Sequence, residues 1–104
     1  MSRKITEQAC YAFESGKKFC LNNTMVTDGA MYLWGHKIAE YKNGKLLVSM
    51  CGYNTVTTRE RLNGLTGVCA TTKQGTPYIN GEEVSSYGVY QVEFGKPLVK
   101  VGER

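Results

Sequence analysis

Residues 33–65 read LWGHKIAEYKNGKLLVSMCGYNTVTTRERLNGL, and this stretch carries a hairpin, a helix start and a helix stop. Asn43-Gly44 is a two-residue turn pair of the kind that closes a β-hairpin, because both positions must take positive φ and Asn and Gly do so at least cost. It separates His36–Lys42 from Lys45–Cys51. The two-residue turn sets Lys42 opposite Lys45, Tyr41 opposite Leu46 and Ala39 opposite Val48. With Met50 these apolar residues form a core-facing side. Ile38, Glu40, Leu47 and Ser49 take the other side, mixed enough to be partly covered by a neighbouring element. Gly35 reads as the bulge or bend that carries the chain between strands. Thr57-Thr58-Arg59-Glu60 fits a capping box, with Thr57 as N-cap and Glu60 reaching back to it. The helix that follows points Leu62 and Leu65 inward and ends near Asn63-Gly64. It is only about two turns long, too short to persist without packing on the sheet.

The same reading extends in both directions. Upstream, Ile5, Ala9, Ala12 and Phe13 recur at helical spacing, so Thr6–Ser15 is an amphipathic helix with Thr6 able to cap its first turn and Gly16 as its stop. Lys17 and Lys18 then suit the C-terminal end of the helix dipole. Phe19–Leu21 and Thr24–Thr27 are extended, and Asp28-Gly29 turns the chain into Ala30–Trp34. Downstream, Val68–Lys73 and Thr76–Ile79 flank Gln74-Gly75, and Asn80-Gly81 leads into Glu82–Val84. Tyr90, Val92 and Phe94 alternate, Gly95-Lys96-Pro97 interrupts, and Leu98, Val99 and Val101 make a last strand or docked arm. The expected fold is α+β, one domain over residues 1–104, with a twisted antiparallel sheet of about five to seven short strands and both helices packed on one face.

Composition narrows the classes. A chain of 104 residues that is 41% hydrophobic and 21% charged is ordinary for a globular protein and excludes disorder as its main state. No apolar run approaches the roughly 20 residues of a membrane span, and Met1-Ser2-Arg3-Lys4 leads into a polar amphipathic stretch, so a cytoplasmic location is expected. Cys10, Cys20, Cys51 and Cys69 form no CxxC pair, which argues for free thiols and against a zinc site shared with His36. Net charge is +4, a mild bias toward anionic partners that falls short of a dedicated nucleic-acid binder.

Several segments together resemble a family of small tailed-bacteriophage proteins. They are Trp34–Ala39 (Trp-Gly-x-Lys-Ile-Ala), Gly44–Ser49 (Gly-x-Leu-x-Val-Ser), Gly52–Thr55 and Tyr78–Gly81. Most specific is the pattern Thr-Thr-x-x-Arg-Leu-Asn-Gly, which begins at Thr57. The resemblance implies a phage origin and assigns no mechanism. Small phage proteins of this kind often act by binding host enzymes, defence systems or nucleic acid.

The chemistry-bearing residues point the same way. With one His, one Asp and no familiar nucleophile motif, the chain lacks the matched groups that catalysis needs. His36 facing Cys51 is the nearest approach to a thiolate and base, but a strand-end histidine with its ring in solvent or bonded to backbone is much the better reading. The glycines follow turn logic and form no phosphate loop, so no cofactor is expected. The reading is a non-enzymatic accessory protein that binds a host or phage protein through Tyr53, Asn54, Arg59, Arg61 and Asn63, where Tyr and Arg are the usual anchors. An open strand edge could also pair two copies as a homodimer. The alternative is a nucleic-acid contact that stacks bases on Tyr32 and Trp34 and reaches phosphates with Lys37, Lys42 and Lys45.

Overall fold

The computed structural model describes residues 2–93 and 95–103. The chain runs α1 (Ser2–Glu14), β1 (Phe19–Leu21), β2 (Thr24–Thr27), β3 (Ala30–Leu33), β4 (His36–Lys42) and β5 (Lys45–Val48). It continues through α2 (Val56–Asn63), β6 (Ala70–Lys73), β7 (Thr76–Ile79), β8 (Glu82–Glu83), β9 (Gly88–Val92) and β10 (Val99–Glu103). The expected α+β class holds. One difference is that the strands divide into a seven-stranded sheet, ordered β1-β2-β3-β4-β5-β9-β10, and a separate three-stranded sheet, β6-β7-β8. Phe94 lies outside the described residues, so the expected alternation is seen for Tyr90 and Val92.

Turn chemistry sets the larger sheet. Asp28-Gly29, Trp34-Gly35 and Asn43-Gly44 each take positive φ at both residues, the backbone form whose twist matches antiparallel strands. The register expected at the last of these is found, with Lys42 opposite Lys45, Tyr41 opposite Leu46 and Ala39 opposite Val48. Gly35 is the expected bend between strands and not a bulge. Trp34-Gly35 closes a tight turn between Leu33 and His36, and the register shift falls further on: Met31 faces Ala39 while Tyr32 faces Lys37. Ile38 is thus the inserted residue. Because a bulge breaks strict alternation, Ile38 is buried along with Ala39, not turned to the opposite side.

On the inner face, Val26, Met31, Ala39, Val48 and Tyr90 pair across the strands in one continuous row. All are buried, together with Ala9, Cys10, Ala12 and Phe13 of α1. Tyr41 shares this face but sits past the end of α1. It remains 43% exposed and covers the core with a ring stacked on Phe13, centroids 4.7 Å apart. Leu62 and Leu65 join the same core, as do Ala70, Ile79 and Val84 of the smaller sheet and the segment after it. The short helix is therefore held between the two sheets, which supplies the packing its length requires.

Candidate functional site

Two regions were candidates for the working surface, and their geometry differs sharply. The first is α2. Its N-cap is Thr55, not Thr57: Thr55 is extended (φ −110) and its hydroxyl accepts the Thr58 N–H at 3.2 Å. The two threonine hydroxyls also bond each other at 3.0 Å. Glu60 does not reach back to close a capping box, because its carboxylate takes the Arg61 guanidinium at 3.0 Å, a charge-assisted partner stronger than a backbone amide.

Arg61, expected at the contact surface, is 1% exposed. Its Nε donates to Thr24 Oγ1 at 2.9 Å and its Nη1 to Thr6 Oγ1 at 2.6 Å. Its Nη2 reaches Asn23 Oδ1 at 3.4 Å. One side chain thus ties α2 to α1 and to the start of β2. The backbone oxygen of Arg61 accepts from the buried Cys10 thiol. Burial, then Glu14, push that thiol from 9.0 up to about 12, with Arg61 opposing, so it stays protonated at neutral pH. Gly64 completes the joint: a β-carbon there would stand 2.6 Å from Cys10 Sγ and 2.7 Å from Thr6 Cγ2. Its φ of −78 is open to any residue, so closeness of the two helices is what requires glycine.

The neighbouring polar residues are also engaged. Asn63 presents both ends of its amide to the Ala70 backbone, accepting from N–H and donating to C=O, and so acts as a stand-in strand partner for β6. Asn54 donates to Thr72 Oγ1 and to the Gly75 carbonyl. Arg59 bonds the Asn54 carbonyl at 3.1 Å and its side-chain oxygen. Arg59 and Asn54 remain half-buried and form a braced margin. Of the residues named from sequence for this surface, Tyr53, at 45%, and Asn63 are open.

The second region is the end of the larger sheet where β3 meets β4 and β5 leaves. Trp34 occupies the first position of its turn at φ 52 and is 51% exposed. A bulky side chain at positive φ is strained by roughly 1–3 kcal/mol, and here no burial offsets it. Two residues on, the His36 ring lies 4.9 Å from that of Tyr53. Cys51-Gly52 forms another positive-φ turn, closed by the Tyr53 N–H on the Met50 carbonyl at 2.8 Å. Gly52 lies against the Tyr87 ring so closely that a β-carbon would stand 2.5 Å from it, and its N–H donates to Ser86. Tyr87 is 56% exposed, and Val56, opening α2, is 74% exposed. Trp34, Tyr53 and Tyr87 thus lie toward the same end of the larger sheet, with His36 against Tyr53. Cys51 is not paired with His36; its thiol donates to the Lys37 carbonyl.

Sequence reasoning missed Tyr87 altogether and took Trp34 for a strand residue. The signal for Trp34 was available: X-Gly recurs at turn after turn, and Trp34-Gly35 is one of the series. No local pattern marks Tyr87, because only the fold brings residues 52 and 87 together.

The basic residues named for nucleic acid are dispersed. Tyr32 and Lys37 lie side by side in register, with Trp34 beyond them. Lys42 and Lys45 sit at the opposite end of β4, a separation on the order of 20 Å. Lys37 pairs with Glu40 at 3.3 Å, and Lys45 pairs with Glu93. Cys10, Cys20, Cys51 and Cys69 form no disulfide, and among the described residues no three of His, Cys, Asp and Glu gather as a metal site. Among the described residues no helix is long and apolar enough to cross a membrane.

These features define a small α+β protein in which a helix-borne polar clamp joins two antiparallel sheets and leaves one sheet end lined with open aromatic rings. Residues 2–96 match the family described as Kyanoviridae Gp96 protein, and the chain belongs to this phage protein family. No curated protein and no solved structure matches it.

Proposed function

We propose that this chain is a non-enzymatic phage accessory protein that binds a protein, of the host or of the phage, through Trp34, Tyr53 and Tyr87. His36 and Val56 lie at the margin of that contact, and Asn54 and Arg59 brace it. The observation that carries this reading is Trp34, a large apolar side chain kept half-exposed in a strained turn where Asn or Asp would be unstrained. Buried aromatic anchors ringed by braced polar groups are the usual make-up of a binding hot spot. The separation of Lys42 and Lys45 from these rings, and the pairing of the nearer Lys37 with Glu40, support a protein partner over nucleic acid, since stacking and phosphate contact need to share one groove. The engagement of His36 with Tyr53, and of Cys51 with a backbone carbonyl, supports binding over catalysis.

The test is capture from infected host lysate on immobilised wild-type, Trp34→Asn and Tyr53→Ala chains, with and without nuclease. A protein retained by the wild type after nuclease, and lost from both variants, supports the proposal. The affinity loss expected for each variant is roughly 30-fold or more. Retention that depends on nucleic acid, or that both variants preserve, overturns it.

A further inference from the structure

The aromatic end carries three ring donors that the fold leaves open. Among the described residues, Trp34 Nε1 and the hydroxyls of Tyr53 and Tyr87 take part in no hydrogen bond, whereas the buried Tyr90 hydroxyl accepts the Ser85 N–H at 2.8 Å. The backbone between the rings is engaged: the Cys51 N–H donates to Ser49 Oγ, that of Gly52 to the Ser86 carbonyl and that of Tyr53 to the Met50 carbonyl. These amides therefore form no cradle for an anion. Charge is scarce as well. Lys37 is paired with Glu40, Arg59 is bonded to Asn54 and Arg61 is buried. Lys73, at the turn whose Gly75 carbonyl Asn54 holds, is a single cation, short of the cluster that an acidic or phosphorylated motif requires.

We infer that the partner presents a proline-rich segment in the polyproline II conformation and that these rings receive it. The inference rests on the contact proposed above and names the chemistry of its ligand. A polyproline II segment has no internal backbone hydrogen bonds, so its carbonyls are open to ring donors, and its prolines offer apolar faces that pack on aromatic rings. The rings follow one another by contact, His36 against Tyr53 and the Tyr87 ring on the adjoining Gly52. At about 3.1 Å per residue, about six residues span about 19 Å and can follow that row from the Trp34 turn. Other modes of peptide recognition fit poorly. An added strand needs a sheet edge, and the edges of the larger sheet are β1 and β10, whereas Trp34 and His36 belong to the inner turn between β3 and β4. A helical segment needs a hydrophobic groove, and the grooves beside β10, beside the β4–β5 turn and between the helices are lined by other residues. A preformed polyproline II segment loses little conformational freedom on binding, which suits a contact of a few rings.

Trp34 is the one tryptophan of the chain, so intrinsic fluorescence reads this end directly. Titration of the full chain with a decaproline peptide should shift Trp34 emission to shorter wavelength and saturate with a Kd of about 1 mM or tighter. A glycine-serine peptide and a leucine-rich helical peptide of equal length should leave it unchanged. Tyr53→Phe and Tyr87→Phe keep the rings and remove the donors, and each should weaken decaproline binding about threefold to tenfold. Tyr53→Ala should weaken it about tenfold or more. In the wild type, the Trp34 indole N–H and the ring signals of Tyr53 and Tyr87 should move on titration while the Val26 methyls stay, a readout that needs no variant. No saturable response to decaproline, an equal response to either control peptide, or binding that all three variants preserve overturns the inference. The reading of these rings as a protein contact survives that result where Trp34→Asn and Tyr53→Ala still abolish capture from lysate, so the two fail separately.

Discussion

The Arg61 cluster and the Trp34 turn are opposites in construction. Around Arg61 a cation is taken out of water and every neighbour answers it: two threonine hydroxyls, an asparagine oxygen and a carboxylate. Around Trp34 a large apolar ring is left in water on a backbone that costs free energy to hold. The first arrangement makes sense only as architecture, since a buried guanidinium is tolerable when fully bonded and ruinous otherwise. The second makes no sense as architecture. The comparison teaches that the most recognisable motif of the chain, Thr-Thr-x-x-Arg-Leu-Asn-Gly, belongs to its frame, and that the proposed contact draws on Trp34 and Tyr53 from its less specific segments and on Tyr87 from none of them.

The largest effect should come from removing the hub. Arg61→Met leaves Glu60, Thr6 and Thr24 without their donor and should cost about 3–5 kcal/mol, enough to unfold much of the population in a urea titration. A loss below about 1 kcal/mol would return Arg61 to the surface. Next comes Cys10. Its thiol is 3% exposed and pushed up to about 12, so the folded chain holds a proton that the unfolded chain releases above pH 9. Its contribution is therefore complete below pH 9 and is lost as pH rises toward 12, by up to roughly 4 kcal/mol. The difference in stability between wild type and Cys10→Ala, followed across that window, should narrow accordingly.

Gly64→Ala should cost about 1–3 kcal/mol, because the added methyl meets Cys10 and Thr6 across the helix contact. Elsewhere in a helix end with ordinary φ the same change would be harmless or favourable. Smaller still, Thr55→Ala should lower stability by about 1 kcal/mol through loss of the cap. Thr57→Ala should move the unfolding midpoint by no more than about 0.5 kcal/mol in free energy. The reverse ranking would restore Thr57 as the cap.

Much of the frame was legible because its signals are local. X-Gly turns fixed the hairpins, and a two-residue loop fixed the register at Tyr41 and Leu46. Thr58, Arg61 and Leu62 also lie at spacings of three and four, one inward face of α2, and the buried Leu65 follows just past its end. The charge of Arg61 concealed that periodicity, since a cation is ordinarily read as exposed. The bulge at Ile38 was not legible, because it answers a packing need of the whole sheet and carries no glycine. The approach of Gly52 to Tyr87 joins segments 35 positions apart, beyond any local pattern.

The sharpest separation of frame from working surface is the folding free energy of Trp34→Asn, measured by urea unfolding beside the wild type. If Trp34 is a strained side chain held open for a partner, Asn-Gly relieves the turn and stability rises by about 1 kcal/mol. If stability instead falls by a similar amount, the indole supports the fold, and the division of this molecule into a clamp and an aromatic contact end is wrong.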